Sequence, residues 1–325
     1  MIEAPPIDGL LLRAFDRSKD VPALTALITE AHLEDGIDWL PTEENLANDL
    51  DHRARFDPAA DLLVAELDGR LIAGSETVVQ VRDGEANHRV EGWVKPSARR
   101  RGLGRALLHW SEARSRAAAA TWAGPEPHVL SSWVDEGEVG AIALLEQEGY
   151  ERIRYGFMML RTLAESIPDV PLPAGLDLRP VVEADHRRIW DADCEAFRDH
   201  WGTLERTEED YAHWFSTPEL DTSLWRVAWD GDEVVGSVMN FIYPEENRRL
   251  GVMRGWLDHI SVRRPWRRRG VAGALIADSL RALRDGGFEE AALGVDAENL
   301  SGALRLYESL GFRRHRTAIG FRKVL

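Results

Sequence analysis

The sequence contains one cysteine, Cys194, so no disulfide can form within the chain. A structural zinc site would then need mainly His and carboxylate ligands, and no HxH, HExxH or CxxC spacing occurs; no metal is expected. No apolar run approaches the roughly 18 residues of a membrane span. The stretch MIEAPPIDGL lacks the basic and apolar regions of a signal peptide, so the cytoplasm is the expected location, with no membrane partner. A positive balance is also missing. The formal net charge is −16, and general nucleic-acid binding, which needs a basic face, is not expected. An acidic surface would suit a cationic or amine substrate, though it also serves solubility alone.

What is present is a repeat. GLLLRAF (Gly9 to Phe15) matches GLDLRPV (Gly175 to Val181), and LLVAELDGRLIAGS (Leu62 to Ser75) matches LWRVAWDGDEVVGS (Leu224 to Ser237). Asp68-Gly69 and Asp230-Gly231 are hairpin-turn signals between apolar runs. Each half then reaches a strand, an arginine-glycine turn and a helix with apolar residues at helical spacing. A further strand follows, and a short helix ending in LLEQEGY or RLYESLGF. One order of elements used twice predicts a duplicated domain. The expected division is 1–160, a linker over 161–174 marked by Pro168, Pro171 and Pro173, and 175–325. The expected class is α/β (mixed α+β), each half a mixed sheet flanked by helices.

The arginine turns read as anion sites. Backbone N–H groups at a helix start lack intrahelical partners, and the helix dipole favours negative charge there. Gly102 and Gly104 permit close backbone approach. Gly270 does the same in the second turn, with Ala272 and Gly273 keeping the surface small. The arginines add charge-assisted donors. Neither turn is a Walker loop or a G-x-G-x-x-G fingerprint. One RRRG alone fits a solvated arginine cluster on a surface helix. Its repetition in matched strand–turn–helix contexts favours a phosphate or diphosphate ligand.

At these residues the chain resembles the GNAT superfamily of acyl-CoA-dependent N-acetyltransferases. The motif is Arg99-x-x-Gly102-x-Gly104 in the first half and Arg267-x-x-Gly270-x-Ala272 in the second. WVKP and ISVRRP match the preceding strand, and NLSGALRLYESLGF matches the late helix. The repeat covers nearly the whole chain, so it looks like a tandem GNAT protein. With AFRDHWG (Ala196 to Gly202), it looks most like mycothiol-synthase-related tandem acetyltransferases. The resemblance implies mostly antiparallel sheets, acetyl-CoA as donor and a small-molecule amine as acceptor. It implies cofactor contacts at Ile260, Ser261, Val262, Arg267, Arg268, Arg269, Gly270, Val271, Ala272, Gly273 and Asn299. In the first half the matching positions are Trp93, Val94, Arg99, Arg100, Arg101, Gly102, Leu103 and Gly104. A monomer or weak homodimer is expected.

The resemblance further implies an acid or hydrogen-bond donor at Tyr307, where the first half has Leu145. Asn299 corresponds to Gly137. The second half is therefore the expected catalytic one, and the first a CoA-binding or structural half. Tyr307 also fits an amphipathic core tyrosine. The base is open between Asp258, at a frequent family carboxylate position, and His259, whose ordinary pKa suits neutral pH. Strand neighbours face opposite sides, so both are not expected to meet the amine. His200 and Trp201 are expected in the acceptor wall. Cys194 reads as an inert, buried thiol. An acyl-CoA-binding protein without transfer activity is the alternative. Aminoacyl transfer from tRNA is disfavoured by the acidic balance.

Overall fold

The structure is a computed structural model, and the description covers residues 4–201, 206–298 and 302–325. The first half runs β1 (Leu11–Ala14), α1 (Val21–Asp35), α2 (Glu43–His52), α3 (Pro58–Asp61), β2 (Leu62–Leu67), β3 (Arg70–Arg82), β4 (Glu85–Val94), α4 (Leu103–Ala120), β5 (His128–Asp135), α5 (Val139–Gln147) and β6 (Glu151–Thr162). The second half runs β7 (Asp177–Arg179), α6 (His186–Phe197), α7 (Glu208–Phe215), β8 (Arg226–Asp230), β9 (Glu233–Ile242), α8 (Pro244–Leu250), β10 (Arg254–Val262), α9 (Val271–Asp285), β11 (Glu290–Asp296), α10 (Ala303–Ser309) and β12 (Arg313–Val324). The order repeats, as the sequence predicts. Among the described residues the departures are α3, found only in the first half, and α8, which replaces the Asp83-Gly84 hairpin turn of the first half.

The turn chemistry sets the hairpins. Asp68 and Gly69 both have positive φ, 51° and 74°, and they join β2 to β3 with the twist two strands need. Gly231, at φ 55°, serves between β8 and β9. α1 ends at Gly36 in the left-handed region, whose N–H caps the His32 and Leu33 carbonyls. α7 opens with a capping box between Thr207 and Asp210.

The described chain falls into two compact units. One comprises Met1–Arg154, Thr207–Pro218 and Ala318–Leu325, and the other Tyr155–Arg206 and Glu219–Thr317. In the first unit β1, β2, β3 and β4 are antiparallel neighbours, β5 lies parallel to β4, and Ala318–Val324 of β12 completes the sheet beside β5. In the second, β7, β8, β9 and β10 are antiparallel, β11 lies parallel to β10, and Gly156–Thr162 of β6 completes it. Each unit thus takes one strand of its ladder from the other half of the sequence. The repeat boundary at 161–174 and the compact units are different divisions of the chain. The linker segment itself is not loose, since Ile167, Val170 and Leu172 pack on the core of the second unit.

That core forms between sheet and α9. Val271, Leu275, Ile276, Leu280 and Leu283 line one helical face and are at most 3% exposed, against Val238, Leu257 and Leu293 of the sheet. Full burial of each large aliphatic side chain stabilises by about 1.5–3 kcal/mol. This packing fixes the start of α9 at the end of β10. In the first unit Leu103 and Leu107 of α4 pack on Leu63 and Ala73 in the same way. No helix among the described residues is long and apolar enough to cross a membrane.

Candidate active site

Arg267 ties the second arginine turn to the helix beside it. Its Nε donates to the Val262 carbonyl at 2.9 Å, Nη1 to Asp199 at 2.7 Å and Nη2 to the Ala196 carbonyl at 2.8 Å. One side chain thus fastens the end of β10 to the last turn of α6, where a cation is favoured. Arg264 also holds Asp199, and hydrogen bonds from Arg264 and then Arg267 keep that carboxyl well below its usual range. The first turn repeats the device. Arg99 Nε donates to the Val94 carbonyl at 3.1 Å, and its two terminal nitrogens grip Asp35 at 2.7 and 2.8 Å. Arg99 and Arg267, expected among the cofactor ligands, thus also pin their turns, a role the sequence reading did not assign.

Their neighbours have the opposite character. Arg268 and Arg100 adopt positive φ, 59° and 62°, a conformation that costs a non-glycine residue about 1–3 kcal/mol and clusters at functional sites. Gly270 and Gly102 follow at 91° and 88°. Such turns aim successive amides into one concavity and form an anion nest. The helices start at once, with Val271, Ala272 and Gly273 or Leu103 and Gly104 supplying first-turn amides. Arg268, Arg269, Arg100 and Arg101 are exposed and form no ion pair or hydrogen bond with another described residue. The fit to a phosphate or diphosphate is thus visible in both turns. They differ in access. A Cβ on Gly270 would meet nothing within 4 Å, whereas one on Gly102 would lie 3.2 Å from Pro5 Cβ.

The strands before the turns open apart. The β10–β11 ladder pairs only Arg254–Trp256 with Glu290–Ala292. Ile260, Ser261 and Val262 keep partners on β9 but lie beyond the last β11 pair. Their backbone groups on that side are positioned for an extended ligand chain. In the first unit the β4–β5 ladder likewise stops at Arg89–Ser131, leaving Trp93 and Val94 beyond it. Trp93 packs against the α1 core.

One feature of the second half has no counterpart. The β9–β10 register shifts between Leu257 and His259, a bulge at Asp258, while β3 and β4 pair without a break from Arg82–Glu85 to Ala73–Val94. A bulge re-aims side chains and is frequent beside active sites. The simple alternation expected at Asp258 and His259 therefore does not hold. Asp258 is solvent-exposed. His259 is half-buried, with Nδ1 2.9 Å from Asp193 Oδ2. Asp193 is fully buried on α6 and also accepts from Arg206 Nη1 at 3.1 Å. Burial works against a charged imidazole, but Asp193, by charge and hydrogen bond, outweighs it with help from Asp258, and the His259 pKa lies above its ordinary value.

Tyr307 contributes its ring to the core, edge-on to Phe312 at 6.3 Å. Burial pushes its hydroxyl up to about 12. The hydroxyl itself makes no hydrogen bond to another described residue. Leu145, the first-half counterpart, is buried. Asn299 lies outside the described residues. The Phe197 ring packs near both His200 and His259, with centroids 5.5 and 5.4 Å away. Trp201 is 39% exposed. Cys194 is half-buried with its thiol pushed up by burial, as an inert cysteine should be.

Sequence reasoning missed Asp193 and Arg206. A signal for Asp193 was present. It follows Ile189 by four positions, on the buried face that also carries Ala192 and Ala196, and a carboxylate there demands a partner.

The acetyltransferase (GNAT) family matches residues 186–312, and an acetyltransferase (GNAT) domain matches residues 58–155. A mycothiol acetyltransferase of Geodermatophilus obscurus is 30% identical over 320 residues, 96% of this chain and 98% of its own. One from Salinispora arenicola is 32% identical over 269 residues, 82% of each chain. Among solved structures, a GCN5-related N-acetyltransferase from Sphaerobacter thermophilus aligns with TM-score 0.73 and 27% identity, covering 98% of this chain and 96% of that one. A tandem GNAT protein from the clavulanic acid biosynthesis pathway aligns with TM-score 0.67 at 18% identity over 97% and 98%, a likeness of fold.

Proposed function

Because the chain belongs to the GNAT acetyltransferase family, we propose that it moves the acetyl group of acetyl-CoA to the primary amine of a small molecule. In this reading residues 175–325 perform the chemistry, and residues 1–160, joined through 161–174, form a CoA-binding or structural half. The reaction is direct. The amine nitrogen bonds to the thioester carbonyl carbon, the C–S bond breaks, and the thiolate leaves. The amine proton goes to a base, and the thiolate takes one from an acid.

The observation that carries this reading is the bulge at Asp258, present in β10 and absent from β4. It sits directly before an open anion turn whose Gly270 is unobstructed. Arg268, Arg269 and the amides of Val271, Ala272 and Gly273 would hold the diphosphate. The backbone of Ile260, Ser261 and Val262 would pair with the pantetheine arm. His200 and Trp201 would shape the acceptor wall, and Tyr307 would supply the donor. The cytoplasm is the proposed location, and a monomer or weak homodimer the proposed state.

The test is a pair of measurements. Acetyl-CoA should raise the unfolding temperature progressively with its concentration, the stabilisation reaching about 2.7 kcal/mol at 100 times Kd. Thiol release should then appear with at least one member of a panel of small amines. The names of the relatives put mycothiol-type amines first in that panel. Stabilisation without release from any amine would favour an acyl-CoA-binding protein that performs no transfer.

A further inference from the structure

The imidazole of His259 is held by a buried partner that the sequence did not suggest. Asp193 is completely buried, yet its Oδ2 lies 2.9 Å from His259 Nδ1 and 3.1 Å from Arg206 Nη1. A buried carboxylate persists only when paired and hydrogen-bonded. Arg206 is itself fixed, its guanidinium 4.8 Å from the Trp190 ring centroid and 5.9 Å from that of Phe197. The arrangement spans α6, the segment after it and β10. It therefore fixes the imidazole's tautomer and direction through side chains from three places in the chain.

We propose that Asp193 is a positioning residue for acetyl transfer: it engages His259 Nδ1 so that Nε2 takes the proton of the attacking amine. This rests on the transfer reading above and decides between the two base candidates in favour of His259. The balance is simple. The amine nitrogen forms its bond to the acetyl carbon and gives one proton to His259 Nε2. The thioester C–S bond breaks, and the thiolate is protonated separately. His259 then carries a positive charge beside the ionised Asp193, which stabilises it, as a carboxylate does for an adjacent imidazolium. The first half cannot assemble the same group, because Glu91 stands at the position matching His259.

The charged groups facing His259 are Asp193 from α6, Asp258 from its own strand and Arg206, and only the carboxylates favour the imidazolium. The sign follows. A base must be neutral, so kcat/KM rises with pH through the His259 pKa. Removing the Asp193 charge lowers that pKa, and the acid limb of the profile moves to lower pH.

The experiment compares wild type with Asp193→Asn, using acetyl-CoA and one accepted amine. The expected shift of the acid limb is about one to three pH units downward, the span for loss of a contacting opposite charge. Turnover at the plateau should fall at least about tenfold, while acetyl-CoA affinity stays within about twofold. The His259 imidazole is titrated by NMR in both proteins, its signal identified by its loss in His259→Gln. That arm needs no acceptor, so it separates failure of this inference from failure of the transfer reading. An unchanged imidazole titration in Asp193→Asn overturns the proposal, as does an unchanged acid limb with only a lowered unfolding midpoint. Near-normal turnover in His259→Gln overturns it as well. Should Asp193→Asn fail to fold, Arg206→Gln supplies the second variant. Removing its cation should move the acid limb upward, and a limb that stays in place counts against the proposal.

Discussion

Gly270→Glu is expected to abolish acetyl transfer, and Gly102→Glu to leave most of it. Both glycines lie in the left-handed region, at φ 91° and 88°, so both substitutions carry backbone strain of about 1–3 kcal/mol. The two sites differ in their surroundings. Nothing lies within 4 Å of a Cβ on Gly270, so the new side chain fits the folded protein and points its charge at the nest. A carboxylate roughly 5 Å from one phosphate charge costs about 3 kcal/mol at an effective dielectric near 20. A diphosphate carries about two such charges, so acetyl-CoA affinity should fall more than roughly 10³-fold. At Gly102 the Cβ falls 3.2 Å from Pro5. That substitution presses on the segment before β1 and should lower the unfolding midpoint instead. Steady-state rates of both variants with one good amine, with folding checked by circular dichroism, make the comparison. An inactive Gly102 variant beside an active Gly270 variant would move the chemistry to the first half.

The duplicated plan was legible because its punctuation is local. Asp68-Gly69, Asp230-Gly231 and the two arginine turns are short signals that fix where strands turn and helices start. The strand exchange was not legible. Alternating apolar residues in β6 and β12 suit either sheet equally, and nothing local says that Met159 pairs with Leu293 or Ile319 with Val134. Nor does the pattern of α7 reveal that residues 207–218 belong with the first unit. Its capping box and apolar face describe a helix without naming its neighbour.

The candidate site divides in the same way. Gly270 and Arg268 were legible because a tight turn before a helix restricts the residues that fit. The role of Arg267 was not, since one guanidinium serves equally well on a phosphate or on Asp199 and two carbonyls. The bulge at Asp258 depends on register with β9, a property of two strands and not of one. Asp193 and His259 lie far apart in sequence, and only the packing of α6 on β10 brings them to 2.9 Å.

Tyr307→Phe is expected to lower turnover by roughly 10²–10⁴, the usual span for general acid–base help, with little change in acetyl-CoA affinity. The substitution keeps the ring against Phe312 and deletes a hydroxyl that bonds no other described residue. The cost to folding should therefore stay within about 1 kcal/mol, because no buried partner is left unsatisfied. The hydroxyl pKa, pushed up by burial to about 12, bears on the size of the effect. It keeps Tyr307 protonated, and so able to donate, throughout the range where the enzyme would work. It also makes full proton transfer to a thiolate uphill, since an ordinary thiol has a pKa near 8.5. The hydroxyl then helps mainly as a hydrogen-bond donor to the charge that develops on sulfur, and the loss should fall toward the lower end of that range. The same argument predicts no loss of activity from tyrosine ionisation below about pH 11. A thiol-release assay of the folded variant across pH 6–10 tests both points. Turnover within a few-fold of wild type would remove Tyr307 from the reaction and leave it as a core tyrosine, with sulfur protonated from solvent. A deficit that appeared only above neutral pH would assign the loss to another titrating group, because Tyr307 does not change charge there.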